Sequence, residues 1–262
     1  MKYLWNDLNK ITALLKSNSP KLILLDFDGT LAPIVKRPDQ AKLPPETKQI
    51  LLNLSKNQNF YLGIISGREL SDIKAKIGIP NIIYAGNHGL QGNFFGKKFL
   101  HPAAEKAVPV IKKIRLKTKQ IAEKYGGVLI EDKKIALGFH YRMAEQSKAK
   151  EIKSALDEVI KPFLDNKLIS QVSGKKEVDI LPKAEWNKGD FAKLIMGEIY
   201  SKTKSHPVVV VIGDDTTDEN AFGDFKNDIT VVVGKNSKSQ AKYYLKNIND
   251  VSIFLKKING LL

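Results

Sequence analysis

The segment KLILLDFDGT, residues 21–30, constrains the fold of this chain more than any other feature. Its apolar run has the length of a buried β-strand and ends on two carboxylates, Asp26 and Asp28, with one residue between them. Side chains alternate along a strand, so both carboxylates are expected to leave its end on the same side. Open α/β sheets bind ligands at the carboxyl ends of their strands. The segment therefore predicts a parallel sheet with an acidic site at one edge, and an ordinary acidic turn stays open as the alternative.

A second apolar run ends on a second acidic cluster much later in the chain. The β-branched residues of Val208–Ile212 precede the sequence GDDTTDEN. This is not an EF-hand calcium loop, because Thr216 and Glu219 stand where that loop needs an acid or Asn and a Gly. Clustered carboxylates are costly unless a cation neutralises them, and all-oxygen ligands favour Mg²⁺. We therefore expect Asp214 to bind a metal, while a solvated loop stays open for Asp215 and Glu219.

Composition excludes several classes of function. The 262 residues suffice for one large domain or two smaller ones, and a hydrophobic fraction of 42% is ordinary for a globular protein. Cysteine is absent, which excludes disulfides, zinc–thiolate sites and cysteine nucleophiles. Residues 1–17 carry apolar side chains at helical spacing, unlike a secretory signal, and the longest apolar runs are of strand length. We expect a soluble, cytoplasmic protein with no membrane partner.

The net charge of +15 and the isoelectric point near 9.6 raise the question of a nucleic-acid partner. The positive excess is spread along the chain rather than gathered in a tail. One cluster lacks the interleaved aromatic residues that stack on bases and is typical of a solvated helix face; it comprises Lys112, Lys113, Arg115, Lys117 and Lys119. We expect no nucleic-acid partner, and the positive field favours a small anionic substrate.

Strands and helices alternate in the first and last parts of the chain, which predicts a parallel sheet with right-handed crossovers. The middle part follows the order αββαββ, which predicts a small antiparallel sheet backed by two helices. The predicted fold class is therefore α/β, with a Rossmann-like parallel-sheet core domain and an inserted α+β (αββαββ) domain. The expected limits are residues 1–103 plus 183–262 for the core and 104–182 for the insert.

Four segments, in this order, resemble the signature regions of the haloacid dehalogenase superfamily of phosphotransferases. They are DFDGT from Asp26, Ser66 in IISGR, Lys188 in NKG, and GDD from Gly213. The insert is similar to the αββαββ cap domain of that superfamily. More closely, the chain resembles the trehalose-6-phosphate phosphatase family. The motifs that carry this resemblance are LDFDGTLAP (25–33), SGR (66–68), GNHGL (86–90), HYR (140–142), KG (188–189) and GDDTTDENAF (213–222).

Three positions, in two segments, depart from the family pattern. Asp179-Ile180-Leu181-Pro182 stands where the family has Glu-x-Arg-Pro, and Gln91 stands where a Glu follows the His-Gly turn. All three positions are expected near the sugar or the cap hinge. They leave the superfamily chemistry intact and leave the identity of the sugar open.

The resemblance implies a role for each matching residue in phosphoryl transfer. Asp26 would be the nucleophile that forms an aspartyl-phosphate, and Asp28 the general acid and base. Ser66 and Lys188 would hold the phosphoryl oxygens. The implied cofactor is Mg²⁺, bound by Asp26, by the backbone carbonyl of Asp28 and by Asp214, while the parts played by Asp215 and Asp218 stay open. The expected contacts to the substrate are Arg68, Asn87, His88, His140, Arg142, Lys176 and Asp179.

Some of these substrate contacts have structural alternatives. His140 could be a hydrogen-bonded structural histidine, Arg142 a salt-bridge partner within the cap, and Arg68 a support for its own loop. For the whole chain, the implied function is a Mg²⁺-dependent phosphatase that hydrolyses trehalose 6-phosphate to trehalose and phosphate. The alternatives are a phosphatase for another glycosyl phosphate (sucrose, mannosylglycerate or glucosylglycerol phosphate) and, from a different class, a basic nucleic-acid-binding module. We expect a monomer acting on a small sugar phosphate.

Overall fold

The computed structural model describes residues 1–174 and 176–260. These residues form two compact units. The large unit comprises Met1–Phe99 and the described part of Trp186–Leu262, and the small unit comprises Leu100–Glu185.

The strands and helices are numbered in chain order. The strands are β1 (Lys2–Tyr3), β2 (Lys21–Leu25), β3 (Phe60–Ile65), β4 (Ile83–Gly86), β5 (Gln91–Phe94), β6 (Lys97–Leu100), β7 (Leu129–Asp132), β8 (Leu137–His140), β9 (Ile169–Gly174), β10 (Glu177–Pro182), β11 (Val208–Gly213), β12 (Ile229–Val233) and β13 (Tyr243–Leu245). The α-helices are α1 (Leu8–Leu15), α2 (Pro45–Leu54), α3 (Leu70–Ile77), α4 (Pro102–Lys124), α5 (Ala149–Asp165), α6 (Lys188–Thr203), α7 (Glu219–Asp224) and α8 (Ile248–Asn259). Within the two described ranges, no helix combines the length and the apolar composition needed to cross a bilayer.

A nine-stranded sheet forms the centre of the large unit, in the order β1-β13-β12-β11-β2-β3-β4-β5-β6. In this order the strands from β1 to β4 are parallel, and β5 returns antiparallel to β4. The central strand β2 lies between β11 and β3, with Leu25 beside Ile212 on one side and Ile64 on the other. The carboxyl ends of these parallel strands meet at one edge of the sheet, which confirms the predicted α/β class.

Both faces of β2 are buried, because helices cover the sheet on each side. Ile23 and Leu25 pack in one core with residues of α1, α2, α3 and α8. Leu22 and Leu24 pack in a second core, with Phe191 of α6 and residues of α7. Burial on both faces is typical of a central parallel strand and explains why its sequence is an unbroken apolar run. The residues that follow β2 therefore start from a well-fixed position.

The small unit contains a four-stranded antiparallel sheet in the order β7-β8-β10-β9. Along the chain its elements follow the order α4-β7-β8-α5-β9-β10. Leu137 and Phe139 of β8 join Val178 and Ile180 of β10 in a core with α4 and α5. Side chains alternate along a strand, so His140, which follows Phe139, and Asp179, which separates Val178 from Ile180, lie on the face of the sheet opposite that core.

Candidate active site

Asp26 lies directly after β2, and its carboxylate is buried. Its backbone N–H donates to the carbonyl of Ile212 at 2.9 Å, so the pairing of β2 with β11 extends to this residue. The chain then turns, and the carbonyl of Phe27 accepts hydrogen bonds from the N–H groups of Leu31 and Ala32, each at 2.9 Å. Asp26 is therefore held at the carboxyl end of a central strand, where open α/β sheets place their ligands.

Gly29 lies where this turn meets the loop after β11. Its φ of +79° is in the region that side chains with a Cβ disfavour. A Cβ at this position would lie 2.0 Å from Oδ2 of Asp214. Only glycine fits here, and its missing side chain lets the two acidic loops approach each other.

Lys188 connects the two loops. It is the first residue of α6, whose N-terminus is fixed by a capping box: the side chain of Asn187 accepts from the backbone of Asp190, and the carboxylate of Asp190 accepts from the backbone N–H of Asn187. The ammonium group of Lys188 donates to Oδ1 of Asp26 and to Oδ1 of Asp218, each at 2.8 Å. All three side chains are buried, so the positive charge is paired where water does not reach it.

Asp218 also organises the loop after β11. Its Oδ2 accepts from the backbone N–H groups of Asp214 and Asp215, at 3.1 Å each. The sequence left open which of Asp215 and Asp218 belongs to the site. The structure buries Asp218 in the cluster, whereas Asp215 is exposed and its carboxylate bonds to Thr216.

Asp26, Asp214 and Asp218 form an acidic cluster that fits a divalent cation. Each offers a carboxylate oxygen, and these oxygens lie within 4.8 Å of one another. Burial raises the pKa of Asp26 well above its usual value; Lys188 opposes this shift, and the other two carboxylates add to it. Burial and the charge of Asp218 likewise raise the pKa of Asp214 to about 7. The single positive charge of Lys188 neutralises only part of the negative charge of the three carboxylates. An oxygen-binding cation such as Mg²⁺ would neutralise the rest of that charge.

Ser66 and Arg68 follow β3 at the same edge. The N–H of Ser66 donates to the carbonyl of Ala85 at 3.0 Å, and its hydroxyl accepts from the N–H of Arg68 at 3.2 Å. The guanidinium of Arg68 binds both carboxylate oxygens of Asp28 and one oxygen of Asp72. The carboxylate of Asp28 therefore pairs with Arg68, and only its backbone carbonyl was expected to bind a metal.

A strained turn after β4 brings Asn87 and His88 to the loop of Ser66. Asn87, His88 and the following Gly89 have φ values of 49°, 58° and 93°. The N–H of Asn87 donates to the carbonyl of Arg68 at 2.7 Å, and that of His88 donates to the carbonyl of Ser66 at 3.0 Å. Three consecutive residues with positive φ cost free energy, and such strain concentrates at functional sites.

In the small unit, His140 and Asp179 belong to a network of charged residues. His140 Nε2 lies 2.8 Å from Oε2 of Glu131, and its Nδ1 lies 3.5 Å from Oε2 of Glu177. Burial opposes the charged form of the ring, but the hydrogen bonds and charges of the two carboxylates outweigh it and raise the pKa of His140 to about 9. Lys133 is buried, and its ammonium group donates to Oδ1 of Asp179 at 2.6 Å.

Arg142 and Lys176 lie beside this network, at the end of β8. Both are half-buried. The carbonyl of Lys176 accepts from the N–H of Tyr141 at 3.1 Å, and its ammonium group donates to the side chain of Gln146. The substrate contacts expected from the sequence thus fall into two groups, with Arg68, Asn87 and His88 in the large unit and the others in the small unit.

The structure shows the partners of Gln91 and Asp179, two of the three positions that depart from the family pattern. Gln91 Nε2 lies 3.4 Å from Oε1 of Glu69, whose Oε2 caps the N-terminus of α3. A second carboxylate in place of Gln91 would repel Glu69 in a buried position. Asp179 is shorter than Glu by one methylene, but Lys133 reaches it.

Sequence reasoning missed three residues that shape these clusters. Asp218 could not be ranked above Asp215, because both are acids of one loop and only the folded loop separates them. Glu131 and Lys133 lie in the charged sequence EDKK after an apolar strand, which is typical of an exposed hairpin. No local signal distinguishes such a segment from a buried polar network.

Comparison with known proteins agrees with the motifs. The sequence profile of the trehalose-phosphatase family matches residues 24–249. Trehalose-phosphate phosphatase of Mycobacterium tuberculosis is 30% identical over 201 residues, 76% of this chain and 50% of that protein. Trehalose-phosphate phosphatase B of Arabidopsis thaliana is 28% identical over 251 residues, 90% of this chain and 66% of that protein. This chain thus spans about half the length of its mycobacterial relative.

The fold agrees as well. The solved structure of the C-terminal domain of C. albicans trehalose-6-phosphate phosphatase matches this chain with a TM-score of 0.83 and 26% sequence identity, over 97% of each chain. The family profile covers every element of the acidic site, from Asp26 to Asp218. The resemblance inferred from the motifs is confirmed, and the chain belongs to the trehalose-phosphatase family.

Proposed function

We propose that this protein is a metal-dependent phosphatase that hydrolyses trehalose 6-phosphate to trehalose and phosphate. The observation that supports it best is the buried contact of Lys188 with Asp26 and Asp218, beside Asp214, in a chain of this family. A buried carboxylate held at a strand end next to an ammonium group is suited to attack a phosphate monoester.

Asp26 is the proposed nucleophile. One of its oxygens attacks phosphorus, the bond from phosphorus to the sugar oxygen breaks, and an aspartyl-phosphate forms. Asp28 gives a proton to the departing sugar oxygen. The hydroxyl of Ser66 and the ammonium group of Lys188 hold the phosphoryl oxygens, and Lys188 reduces the repulsion between the phosphate and Asp26.

Asp28 also serves the second half of the reaction. Having lost its proton, it takes one from a water molecule as the water oxygen attacks phosphorus. The bond between phosphorus and Asp26 then breaks, which releases inorganic phosphate. Both carboxyl groups return to their starting protonation states.

The acidic cluster fits the Mg²⁺ ion that we propose as the cofactor. The carboxylates of Asp26 and Asp214 and the backbone carbonyl of Asp28 are its proposed ligands. When bound, the ion supplies positive charge that stabilises the phosphoryl oxygens in the transition state. Asp218, whose oxygens are engaged by Lys188 and the loop backbone, positions the ligand Asp214.

We assign recognition of the sugar to two segments. Residues 1–103 plus 183–262 are proposed to be the hydrolase domain, and residues 104–182 the cap domain that distinguishes one sugar from another. The proposed contacts to the substrate are Asn87, His88, His140, Arg142, Lys176 and Asp179. The pKa of His140 is raised to about 9 by the carboxylates of Glu131 and Glu177, which pair with the charged ring. The network therefore offers hydrogen-bonding groups that suit a hydroxyl-rich ligand.

A phosphatase for another glycosyl phosphate is the second candidate, favoured by Asp179 and Leu181, which depart from the family pattern. The decisive experiment measures phosphate release from trehalose, sucrose, mannosylglycerate and glucosylglycerol phosphates at equal concentration, with Mg²⁺ and with a chelator. We expect the highest kcat/KM for trehalose 6-phosphate and loss of activity with the chelator. Faster release from a different glycosyl phosphate would transfer the proposal to that substrate. No release from any of them would contradict the proposed chemistry.

The monomeric state, the cytoplasmic location and the lack of a nucleic-acid partner stay predictions from the sequence. Size-exclusion chromatography with light scattering tests the first. A duplex titration at two salt concentrations tests the last, because binding driven by phosphate contacts weakens steeply with salt.

A further inference from the structure

Arg68 is the most constrained cation near the site besides Lys188. Its Nε donates to Oδ2 of Asp28 at 2.6 Å, and its Nη2 donates to Oδ1 of the same carboxylate at 2.8 Å. This is the two-pronged geometry in which arginine binds carboxylates most specifically. The third nitrogen, Nη1, donates to Oδ2 of Asp72 at 2.9 Å.

The guanidinium is held on every side. Its side chain is 8% exposed, and its central carbon lies 5.3 Å from the centre of the Phe27 ring. Asp72 is fixed in the first turn of α3, whose N-terminus is capped by Glu69. The carbonyl of Arg68 accepts from Asn87, and its N–H donates to Ser66. Arg68 therefore cannot move without disturbing a helix terminus and two loops of the site.

Within the described residues, the carboxylate of Asp28 is held on one side alone. Its side chain is 36% exposed, and it lies in a turn between Phe27 and Gly29. An exposed carboxylate in such a turn can occupy more than one staggered rotamer unless a partner selects one. The bidentate contact with Arg68 orients both of its oxygens.

We propose that Arg68 is a positioning residue, which orients the carboxyl group of Asp28 for proton transfer to and from the substrate. This inference rests on the proposed function, in which Asp28 is the general acid and base. It differs from the role expected from the sequence, direct contact with the substrate, because three of the five guanidinium N–H groups bind carboxylates and the side chain is only 8% exposed. Each oxygen of Asp28 keeps a second lone pair on the side away from Arg68, so the contact leaves it able to exchange a proton.

The first test replaces Arg68 with lysine, which keeps the charge but cannot bind both oxygens. The assay compares trehalose 6-phosphate with p-nitrophenyl phosphate, whose leaving group needs no proton. For R68K we expect kcat/KM to fall on the order of 10²-fold with the sugar phosphate. With the aryl phosphate we expect kcat/KM to change about 3-fold or less, because kcat/KM reports formation of the aspartyl-phosphate, a step in which this leaving group needs no general acid. A similar loss with both substrates would contradict the proposal and indicate a general structural role.

The second test separates positioning from direct contact with the sugar, which would produce the same selectivity. It adds R68K to D28N and measures single-turnover rates with the sugar phosphate. If Arg68 acts through Asp28, the double variant is no slower than D28N alone. A further loss in the double variant would show direct contact with the substrate and overturn the proposal.

Two other variants complete the design. R37K alters an exposed arginine that pairs with Asp39, and we expect no change in activity. D72N weakens the hold on Arg68 and leaves Asp28 unchanged, so it tests the proposal if R68K fails to fold. We expect kcat/KM to fall with the sugar phosphate and not with the aryl phosphate, by less than in R68K. Wild-type activity is measured first in each assay. Its absence refutes the proposed function, whereas an unselective R68K with active wild type refutes the positioning role alone.

Discussion

Lys188 is 3% exposed, and its ammonium group contacts two carboxylates, Asp26 and Asp218. Removing one partner of a buried ion pair leaves an uncompensated charge, which costs about 3–5 kcal/mol. A neutral side chain of the same shape that keeps a hydrogen bond costs less. At the scale of single residues, the site therefore separates substitutions that test chemistry from those that only unfold the protein.

Asp26→Asn tests the nucleophile. The amide has the shape of the carboxylate but cannot attack phosphorus, so we expect phosphate release to fall to background. Lys188 keeps its contact with Asp218, so the far-UV circular dichroism is expected to match wild type. Asp39→Asn, at an exposed carboxylate, is the matched control and is expected to retain full activity. Turnover by D26N would refute the assignment.

Gly29→Ala tests the approach of the two acidic loops. Gly96 is the matched control, since it also has a positive φ, 76°, but a Cβ added there would have no described atom within 4 Å. Alanine in this backbone conformation costs about 1–2 kcal/mol at either position. Only at Gly29 does the Cβ collide with Asp214. We expect thermal unfolding to show a loss of stability in both variants and phosphate release to be lost in G29A alone; equal activities would contradict the argument.

At the scale of secondary structure, helix α6 begins with Lys188, a residue of the proposed site. Lys188 occupies the first turn, so the capping box formed by Asn187 and Asp190 sets the position of its backbone. The sequence NKGD carries this signal, because Asn is a preferred cap and an acid three residues later can complete the box. The same element thus links a stability signal with a site residue.

Asn187→Ala removes this cap. We expect a loss of about 0.5–2 kcal/mol in the free energy of unfolding, together with reduced kcat because Lys188 is displaced. Asn247→Ala is the control, since Asn247 caps α8 by the same kind of hydrogen bond. It is expected to lose similar stability with unchanged activity. Chemical denaturation and phosphate release measure the two effects, and an equal loss of activity in both variants would contradict the link.

The charged network on the sheet of the small unit is expected to make the free energy of unfolding depend on pH. The pKa of His140 rises from about 6.5 in the unfolded chain to about 9 in the folded protein. A raised pKa stabilises the fold fully below the unfolded pKa, and this contribution is lost as the pH rises through 9. We therefore expect the stability difference between wild type and His140→Gln to shrink between pH 6.5 and 9. His206→Gln, at an exposed histidine, is the control; a difference that is constant with pH would disprove the charge on His140.

At the scale of the whole molecule, cation binding is expected to stabilise the fold, because the acidic cluster joins residues from opposite ends of the chain. An ion at 100 times its dissociation constant adds about 2.7 kcal/mol to the free energy of unfolding. We expect Mg²⁺ to raise the Tm of wild type and of Asp215→Asn, whose carboxylate is exposed. Asp214→Asn is expected to lose most of the shift, and an undiminished shift in that variant would remove Asp214 from the metal site.

Much of the fold could be predicted from the sequence, and the missing parts share a cause. The apolar runs of β2, β3 and β11 identified the central strands, because strands buried on both faces consist of consecutive apolar residues. The two outermost strands at each side of the large sheet, β1 and β13 on one side and β5 and β6 on the other, were not predicted. They are two to four residues long, and pairing with a neighbouring strand, rather than composition, makes them strands.

The sequence by itself determined which side chains stand at strand ends, since alternation, turn glycines and helix caps are properties of neighbouring residues. Asp26, Asp28 and Asp214 were found in this way, whereas Ser66 was identified by the family resemblance. Only the tertiary structure decided which side chains pair with one another. Lys188 donates to Asp218, Arg68 donates to Asp28, and His140 lies in a network of charged residues. Hydrogen bonds and charge interactions depend on distances between residues that are often far apart in the chain, and no local pattern contains those distances.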